Sequence, residues 1–280
     1  MLTTPIVRAL KNCVKNVELH YLTKPENETL LKNNKYIDKL HLLKNDLSET
    51  TDELSKEEFG YVVDLQKNLR SLRIKKALGV RASSFPKLNI RKWLFVNLKL
   101  QCMPAIHIVD RYFEAVRDLE VVNDGKGLDY FLQEADFVDC ETLPAGFQSG
   151  YIACVVGSKH ATKQMPTDLM ADLCRKIQKP IILLGGKGDR DKAAIIGQQV
   201  GAKVFNACGN YNINQSAYLV KNALGIITPD TGLMHIAAAF DKNIIAVWGN
   251  TVPQFGMYPY RAANAKGKTY NFEVKNLHCR

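Results

Sequence analysis

A strand–helix–strand pattern occupies residues 225–248, which read GIITPDTGLMHIAAAFDKNIIAVW. Two short apolar runs, 225–228 and 243–248, flank a segment at 232–240 whose apolar residues recur with helical spacing. Strands that are apolar at every position are typical of parallel sheets covered by helices on both faces. This segment therefore predicts a β–α–β unit within an α/β fold.

The same alternation continues through the second half of the chain and, less regularly, through the first half. In the second half we predict further strands at 151–157, 180–184 and 203–205, and helices at 166–177, 189–200 and 213–221. In the first half we predict strands at 17–22, 39–43 and 61–65, and helices at 5–15, 66–78 and 108–121. Residues 87–103 follow neither pattern clearly.

A length of 280 residues favours two domains, each able to bury its own core. We place them at 1–145 and 146–280, because the glycine- and proline-containing segment 123–150 suits a connection. No apolar run approaches the roughly 20 residues that span a bilayer, and the N-terminus lacks the pattern of a secretory signal. The seven cysteines include no C-x-x-C pair and are typical of buried thiols in a reducing compartment. We therefore expect a cytoplasmic protein.

The net charge of +10 is unevenly distributed. Residues 151–280 carry 16 Lys and Arg against 7 Asp and Glu, and the segment 64–117 carries 12 against 3. Each basic surface can attract partners that bear phosphate groups, although a solvated charged surface is the simpler interpretation of any single lysine. The chain has no recognisable nucleic-acid reading helix or aromatic stacking platform, so we predict no nucleic-acid partner.

Three loops follow predicted strands of the second half, at 157–163, 185–189 and 228–232. Ligands of open parallel sheets bind beyond the carboxyl ends of the strands, where such loops lead into helices. In the third loop Pro229 ends the strand, Asp230 can cap the next helix, and Thr231 and Gly232 would offer free backbone N–H groups to an anion. A helix that is merely capped by Asp230 remains the alternative.

Several common site motifs are absent from the sequence. Gly186-Lys187-Gly188 does not extend to G-x-G-x-x-G, and the chain has no G-x-x-x-x-G-K-[ST], H-E-x-x-H or G-x-S-x-G. A nicotinamide-binding fingerprint, a P-loop, a zinc-protease helix and a hydrolase elbow are therefore not supported. We predict no cofactor and no metal site.

Residues 228–239, continuing to Val247-Trp248-Gly249-Asn250-Thr251, resemble glycosyltransferase family 9, the heptosyltransferases of the lipopolysaccharide inner core. Residues 161–166 resemble the family's Thr-Lys-x-Trp-Pro segment, with Met165 in place of Trp, and 185–189 resemble its glycine-rich loop. The resemblance is good over about 150–255 and weaker over 1–80. It implies two Rossmann-like domains that face each other, the GT-B arrangement, with the donor bound mainly by the C-terminal domain.

The resemblance also implies the chemistry. Lys163 would neutralise a donor phosphate and stabilise the leaving group, as a catalytic residue. The donor-binding residues carried over are Gly157, Ser158, Thr162, Lys163, Gly186, Asp189, Asp230, Thr231, Gly232, Leu233 and His235. The reaction would be an inverting transfer of heptose or a related sugar from an ADP-sugar, which is a substrate and not a cofactor, and would need no metal. The acceptor would be a phosphorylated, lipid-linked oligosaccharide, and the segment 64–117 would face it in peripheral contact with the inner face of the inner membrane.

The N-terminus departs from the family pattern. Family members begin with a hydrophobic strand and Ser-x-Gly-Asp, whose Asp is the expected general base, whereas Met1–Leu10 resembles the stretch that follows. We therefore expect the base to lie before Met1, and a missing strand to leave a hydrophobic slot in the N-terminal sheet. Asn276–Arg280 likewise resembles the start of a segment that continues into C-terminal helices.

Two explanations of these departures stay open, together with two other functions. The recorded start is too late, or the chain is a homologue that binds nucleotide sugar without transferring it, because general-base assistance is worth roughly 10²–10⁴-fold. A nucleotide-sugar epimerase would share the architecture and would isomerise its sugar without an acceptor. A nucleic-acid binder is suggested only by the pI of about 9.2.

Overall fold

A computed structural model describes residues 1–158 and 160–274, with Cys140 described in its backbone only. The chain divides into two compact units, one of Leu2–Lys126 and one that begins at Gly127. Residues 127–145, which the sequence prediction assigned to the first domain, thus cluster with the second unit. Within the described ranges, no helix is both long and apolar enough to cross a membrane.

The first unit is α/β with short strands. Its strands are β1 (His20–Thr23), β2 (Lys39–Leu42), β3 (Val62–Asp64) and β4 (Ala82–Ser84). Its helices are α1 (Thr4–Cys13), α2 (Glu28–Leu31), α3 (Leu47–Ser55), α4 (Leu69–Leu78), α5 (Asn89–Leu98) and α6 (Ile108–Phe113). The strands form two parallel pairs, β1 with β2 and β3 with β4. A cavity of about 300 Å³ is lined by β1, β3 and residues of α4.

Two helices of the first unit differ from the sequence prediction in their bounds. The one predicted at 66–78 begins at Leu69, because the Asn68 side chain accepts a hydrogen bond from Ser71 N and caps it. The one predicted at 108–121 is α-helical only to Phe113 and continues as a 3₁₀ helix over Glu114–Leu119. The segment 87–103, which had no clear pattern, contains α5.

The second unit contains one six-stranded sheet with all neighbours parallel. Its strands are β5 (Ile152–Val155), β6 (Ile181–Leu184), β7 (Val204–Asn206), β8 (Gly225–Pro229), β9 (Ile244–Trp248) and β10 (Thr269–Glu273), in the order β10-β9-β8-β5-β6-β7. Its helices are α7 (Thr167–Lys176), α8 (Arg190–Val200), α9 (Ile213–Asn222) and α10 (Gly232–Ala239). The sequence prediction of a parallel α/β sheet is confirmed here.

The core of the second unit lies on both faces of this sheet. Ile181 and Leu183 of β6 pack in one apolar cluster with residues of α7 and α8, such as Met170 and Ile196. Side chains alternate along a strand, and the alternate residues of β6, Ile182 and Leu184, are 0% exposed as well. Both faces are therefore covered, which explains why the strand sequences are apolar throughout.

Candidate functional site

The direction of the chain across the sheet of the second unit reverses once. From β5 it proceeds to β6 and β7, and then returns to place β8, β9 and β10 on the other side of β5. The loops after β5 and β8 therefore diverge from the carboxyl ends of two neighbouring strands. In open α/β sheets the crevice at such a reversal is the preferred place for a ligand, so the fold itself points to these two loops.

An ion pair joins the two loops. Lys163 ends a 3₁₀ turn at Ala161–Lys163 after β5, and its Nζ donates to Asp230 Oδ2 after β8 at 2.6 Å. The Lys163 side chain is 22% exposed and the Asp230 side chain 10%, so the lysine is the more accessible of the two partners. The pair fixes a cation at the reversal of the sheet.

The loop that carries Lys163 is held by contacts which the sequence prediction did not include. Gln164 Nε2 donates to Ser158 O at 3.0 Å, and Lys192 Nζ donates to Met165 O at 2.6 Å. Burial lowers the pKa of Lys192. A Cβ added at Gly249, just after β9, would lie 3.0 Å from Thr162 O. In the sequence, the only indication of the Lys192 contact was its position three residues after Asp189, on the first turn of α8.

The first turn of α10 faces open space. Thr231 is the N-cap, it makes no side-chain capping bond, and its hydroxyl lies 3.0 Å from Thr228 Oγ1. A Cβ added at Gly232 would meet nothing within 4 Å. The expectation that Asp230 caps this helix is wrong, because Thr231 is the N-cap and the Asp230 carboxylate pairs with Lys163. Helix geometry leaves the first N–H groups of a helix without intrahelical partners, so this turn can offer them to an anion.

Leu233 and His235 lie on the packed side of α10. Leu233 is 8% and His235 7% exposed, and Met234 and Ile236 beside them are 0% exposed. The helix is apolar around most of its circumference, which is why its first turn alone meets the crevice. The role of Leu233 and His235 toward a donor stays a prediction.

Asp189 closes the glycine-rich loop after β6. Its Oδ2 accepts a hydrogen bond from Gly186 N at 2.8 Å, and a Cβ added at Gly157 would lie 2.0 Å from the same oxygen. Burial raises the pKa of the neighbouring Cys208 thiol to about 12, so it stays protonated at neutral pH. The structure thus brings Gly157, Gly186 and Asp189 together, with the Asp189 carboxylate already used in the loop.

The candidate residues therefore form two groups beyond the carboxyl ends of β5, β6 and β8. One group combines a partly exposed cation, Lys163, with the open turn at Thr231 and Gly232. The other is the glycine loop closed by Asp189. Of the remaining predicted residues, Ser158 is half-buried and Thr162 exposed. We therefore still predict, for these residues, the binding of an anion that carries more than one phosphate group.

The comparisons with known proteins name a family. A sequence model described as glycosyltransferase family 9 (heptosyltransferase) matches residues 49–276. The lipooligosaccharide heptosyltransferase 2 of Haemophilus influenzae is 44% identical over 50 residues, which are 18% of this chain and 14% of that protein. The lipopolysaccharide heptosyltransferase 2 of Salmonella typhimurium is 30% identical over 79 residues, 27% of this chain and 23% of that protein. The matched segments thus span less than a quarter of these curated relatives.

Solved structures resemble the chain over nearly its whole length. A glycosyltransferase family 9 structure from Veillonella parvula has a TM-score of 0.77 at 19% identity and covers 99% of this chain and 84% of its own. The E. coli ADP-heptose heptosyltransferase II has a TM-score of 0.72 at 14% identity, with 99% and 87% covered. The E. coli heptosyltransferase WaaC with ADP has a TM-score of 0.69 at 16% identity, with 98% and 89% covered.

These likenesses establish the fold, and the predicted fold class, α/β of the GT-B type, is confirmed. The family model covers well over half of the sequence. This chain belongs to glycosyltransferase family 9.

Proposed function

We propose that the chain is an inverting glycosyltransferase that moves heptose or a related sugar from an ADP-sugar to a lipopolysaccharide-core-type acceptor. Family membership supports the sugar transfer, and the names of the relatives support heptose. The observation that carries the proposal is the Lys163–Asp230 ion pair, which lies beside the open first turn of α10 at the reversal of the sheet.

The charge and donor geometry of this site suit a diphosphate. An ammonium group has three N–H donors, and Asp230 accepts one from Lys163, so two remain for phosphate oxygens. The open turn at Thr231 and Gly232 adds backbone N–H groups and the positive end of the helix dipole. The ion pair keeps Lys163 positioned before the donor binds, which reduces the entropy lost on binding.

The same groups would act on the leaving group. In the proposed step the acceptor hydroxyl oxygen bonds to the anomeric carbon as the bond from that carbon to the ADP oxygen breaks. Negative charge then grows on the departing diphosphate, where Lys163 and the α10 amides can stabilise it more than they stabilise the intact donor. The hydroxyl proton passes to a base that these residues do not supply.

The acceptor side of the proposal rests on the basic segment 64–117 and on α5 within it. No residue of α5 is buried, and its large apolar side chains Ile90, Trp93 and Leu98 are 77%, 57% and 53% exposed. Arg91 and Lys99 are exposed beside them. A helix that combines exposed aromatic and aliphatic residues with basic ones is typical of peripheral binding to anionic membranes, where a phosphorylated, lipid-anchored acceptor would lie.

Calorimetric titration of the whole chain with ADP tests the donor site. We expect saturable binding that Lys163→Ala weakens by about 10- to 100-fold, the worth of a charge-assisted contact to phosphate. Lys179→Ala is the matched control, because this exposed lysine precedes β6 and so lies at the amino ends of the strands, away from the proposed site. Equal ADP binding by Lys163→Ala and the unmodified chain would remove the site.

Transfer is measured separately, as ADP released from ADP-heptose in the presence of a lipopolysaccharide-core acceptor. Release that depends on the acceptor supports the transferase. Tight binding without release would instead favour the alternative, a nucleotide-sugar-binding homologue without transferase activity. An altered sugar on the nucleotide in the absence of acceptor would indicate an epimerase.

A further inference from the structure

Two histidines and a glutamate of the first unit converge at one point. His20 on β1 and His41 on β2 lie with His20 Nδ1 and His41 Nε2 3.0 Å apart, and His20 Nδ1 is 3.8 Å from Glu57 Oε2. The three side chains offer one ligand atom each within 4.8 Å of one another. The strand register explains the meeting: His41 lies opposite Leu22, two residues after His20, so both histidines project from the same face of the pair.

The ring nitrogens that point away from this meeting point each face a further carboxylate. His20 Nε2 lies 3.0 Å from Glu18 Oε1, and His41 Nδ1 lies 3.8 Å from Glu53 Oε1. Histidines that bind metal ions almost always donate their other N–H to a carboxylate or carbonyl, which sets the tautomer and raises the basicity of the ligand nitrogen. His20 has this arrangement, whereas the 3.8 Å between His41 Nδ1 and Glu53 Oε1 is an ion-pair distance and not a hydrogen bond. The inner nitrogens, His20 Nδ1 and His41 Nε2, share a hydrogen bond in this structure, which metal coordination would replace.

The dimensions and surroundings of the cluster fit a small divalent ion. A tetrahedral ion with bonds of about 2.0–2.1 Å holds its nitrogen ligands about 3.3 Å apart, close to the 3.0 Å between the two inner nitrogens. The side chains of His20 and His41 are 8% and 4% exposed, so both are largely shielded from solvent. Phe59 packs edge-on against both rings and shields them.

We propose that His20, His41 and Glu57 bind a divalent transition metal ion, with Zn²⁺ the best match to two imidazoles and one carboxylate. Both histidines line the 300 Å³ cavity of the first unit, from which a water molecule can complete four-coordination. Lys39, which pairs with Glu57 in this structure, is 50% exposed and can turn to solvent when the ion binds. The ion ties β1, β2 and the segment after α3 together, independently of the donor site.

Titration with Zn²⁺ alone, and with Co²⁺ as a spectroscopic probe, tests the proposal. We expect one equivalent to bind the full chain, a higher melting temperature with Zn²⁺, and the visible absorption of tetrahedral Co²⁺ with nitrogen and oxygen ligands. Glu57→Gln should weaken Zn²⁺ binding at least tenfold and His20→Gln should abolish it. The control is Glu26→Gln, which changes a glutamate of 66% side-chain exposure that pairs with Lys24, and this variant should bind as the unmodified chain does.

Three results would overturn the site. The first is the absence of stoichiometric Zn²⁺ binding by the unmodified chain. The second is Zn²⁺ binding by Glu57→Gln and His20→Gln that equals that of Glu26→Gln, with all variants shown to be folded by circular dichroism. The third is strong near-ultraviolet thiolate absorption of the Co²⁺ form, which would place the ion at cysteines.

Discussion

Two glycines of the proposed donor site, Gly157 and Gly232, should respond differently to an added Cβ in stability and in ADP binding. At Gly157 a Cβ would lie 2.0 Å from Asp189 Oδ2, which is held by Gly186 N. Gly157→Ala must displace that carboxylate and break the hydrogen bond, so we expect the free energy of unfolding to fall by about 1–3 kcal/mol. Gly232→Ala meets open space, so its stability should stay unchanged or rise by up to about 1 kcal/mol.

For ADP affinity we expect the opposite order, with Gly232→Ala weakened more than Gly157→Ala. The added methyl of Gly232→Ala occupies the space in front of the open helical turn, so ADP affinity should fall although the fold is intact. Denaturant unfolding and calorimetry on the same preparations measure both quantities. A Gly232→Ala chain that binds ADP unchanged would show that the diphosphate does not approach this turn.

At the scale of elements, α1 is anchored by a buried ion pair. Arg8 Nε and Nη2 donate to the two carboxylate oxygens of Asp124, each at 2.8 Å, and the Arg8 side chain is 3% exposed. Asp124→Ala leaves the buried guanidinium without this partner, so we expect a loss of about 3–5 kcal/mol. Asp118→Ala is the matched control, since Asp118 and its partner Arg81 are 59% and 68% exposed and such pairs contribute under about 1 kcal/mol.

The same pair has a defined pH dependence. Hydrogen bonds from Arg8 hold the pKa of Asp124 below its usual 3.8. A carboxyl whose folded pKa is depressed stabilises the fold above its unfolded pKa, and this stability is lost as the pH falls through the folded value. The stability difference between the unmodified chain and Asp124→Ala should therefore be full above about pH 4 and narrow below it. A constant difference down to pH 2 would contradict this account.

The elements differ in how far the sequence alone could define them. Five of the six strands of the second unit were predicted closely, and β6 and β8 are buried at every position. β10 was missed, since four of its five residues are exposed and it lies at the sheet edge. α3 and α5 were missed because α3 buries only Thr50 and Leu54 and α5 nothing, which leaves little apolar periodicity to detect.

The sequence predicted those parts of the site that local backbone structure determines. A strand end followed by glycine and a helix start is local, so the three loops could be read from the sequence. The contacts that assemble them are not local: Lys163 and Asp230 are 67 positions apart, and His20 and His41 are 21 apart. Such pairs meet only through the strand order, which is why the sequence indicated no metal ligands.

At the scale of the whole molecule, the basic segment 64–117 and the apolar side chains of α5 occur in the same unit. The net charge of +10 gives a long-range attraction to anionic lipid that salt screens, whereas insertion of Trp93 and Ile90 supplies a short-range term. If both the electrostatic attraction and the insertion contribute, the protein should bind weakly to neutral vesicles, and weakly to anionic vesicles at high salt. A purely electrostatic contact would not need the apolar residues.

Sedimentation with anionic vesicles measures this contact. We expect the unmodified chain to bind them, with tryptophan emission shifted to shorter wavelength, because Trp93 is 57% exposed and Trp248 only 1%. Trp93→Ser should lower vesicle affinity at least about tenfold, from the roughly 1.5–3 kcal/mol that burial of a large apolar side chain contributes. Leu169→Ser changes a residue of equal exposure, 58%, on α7 of the other unit and should bind normally. Unchanged vesicle binding by Trp93→Ser would mean that the lipid responds only to charge. Equal losses in Trp93→Ser and Leu169→Ser would mean that α5 is not the specific contact surface.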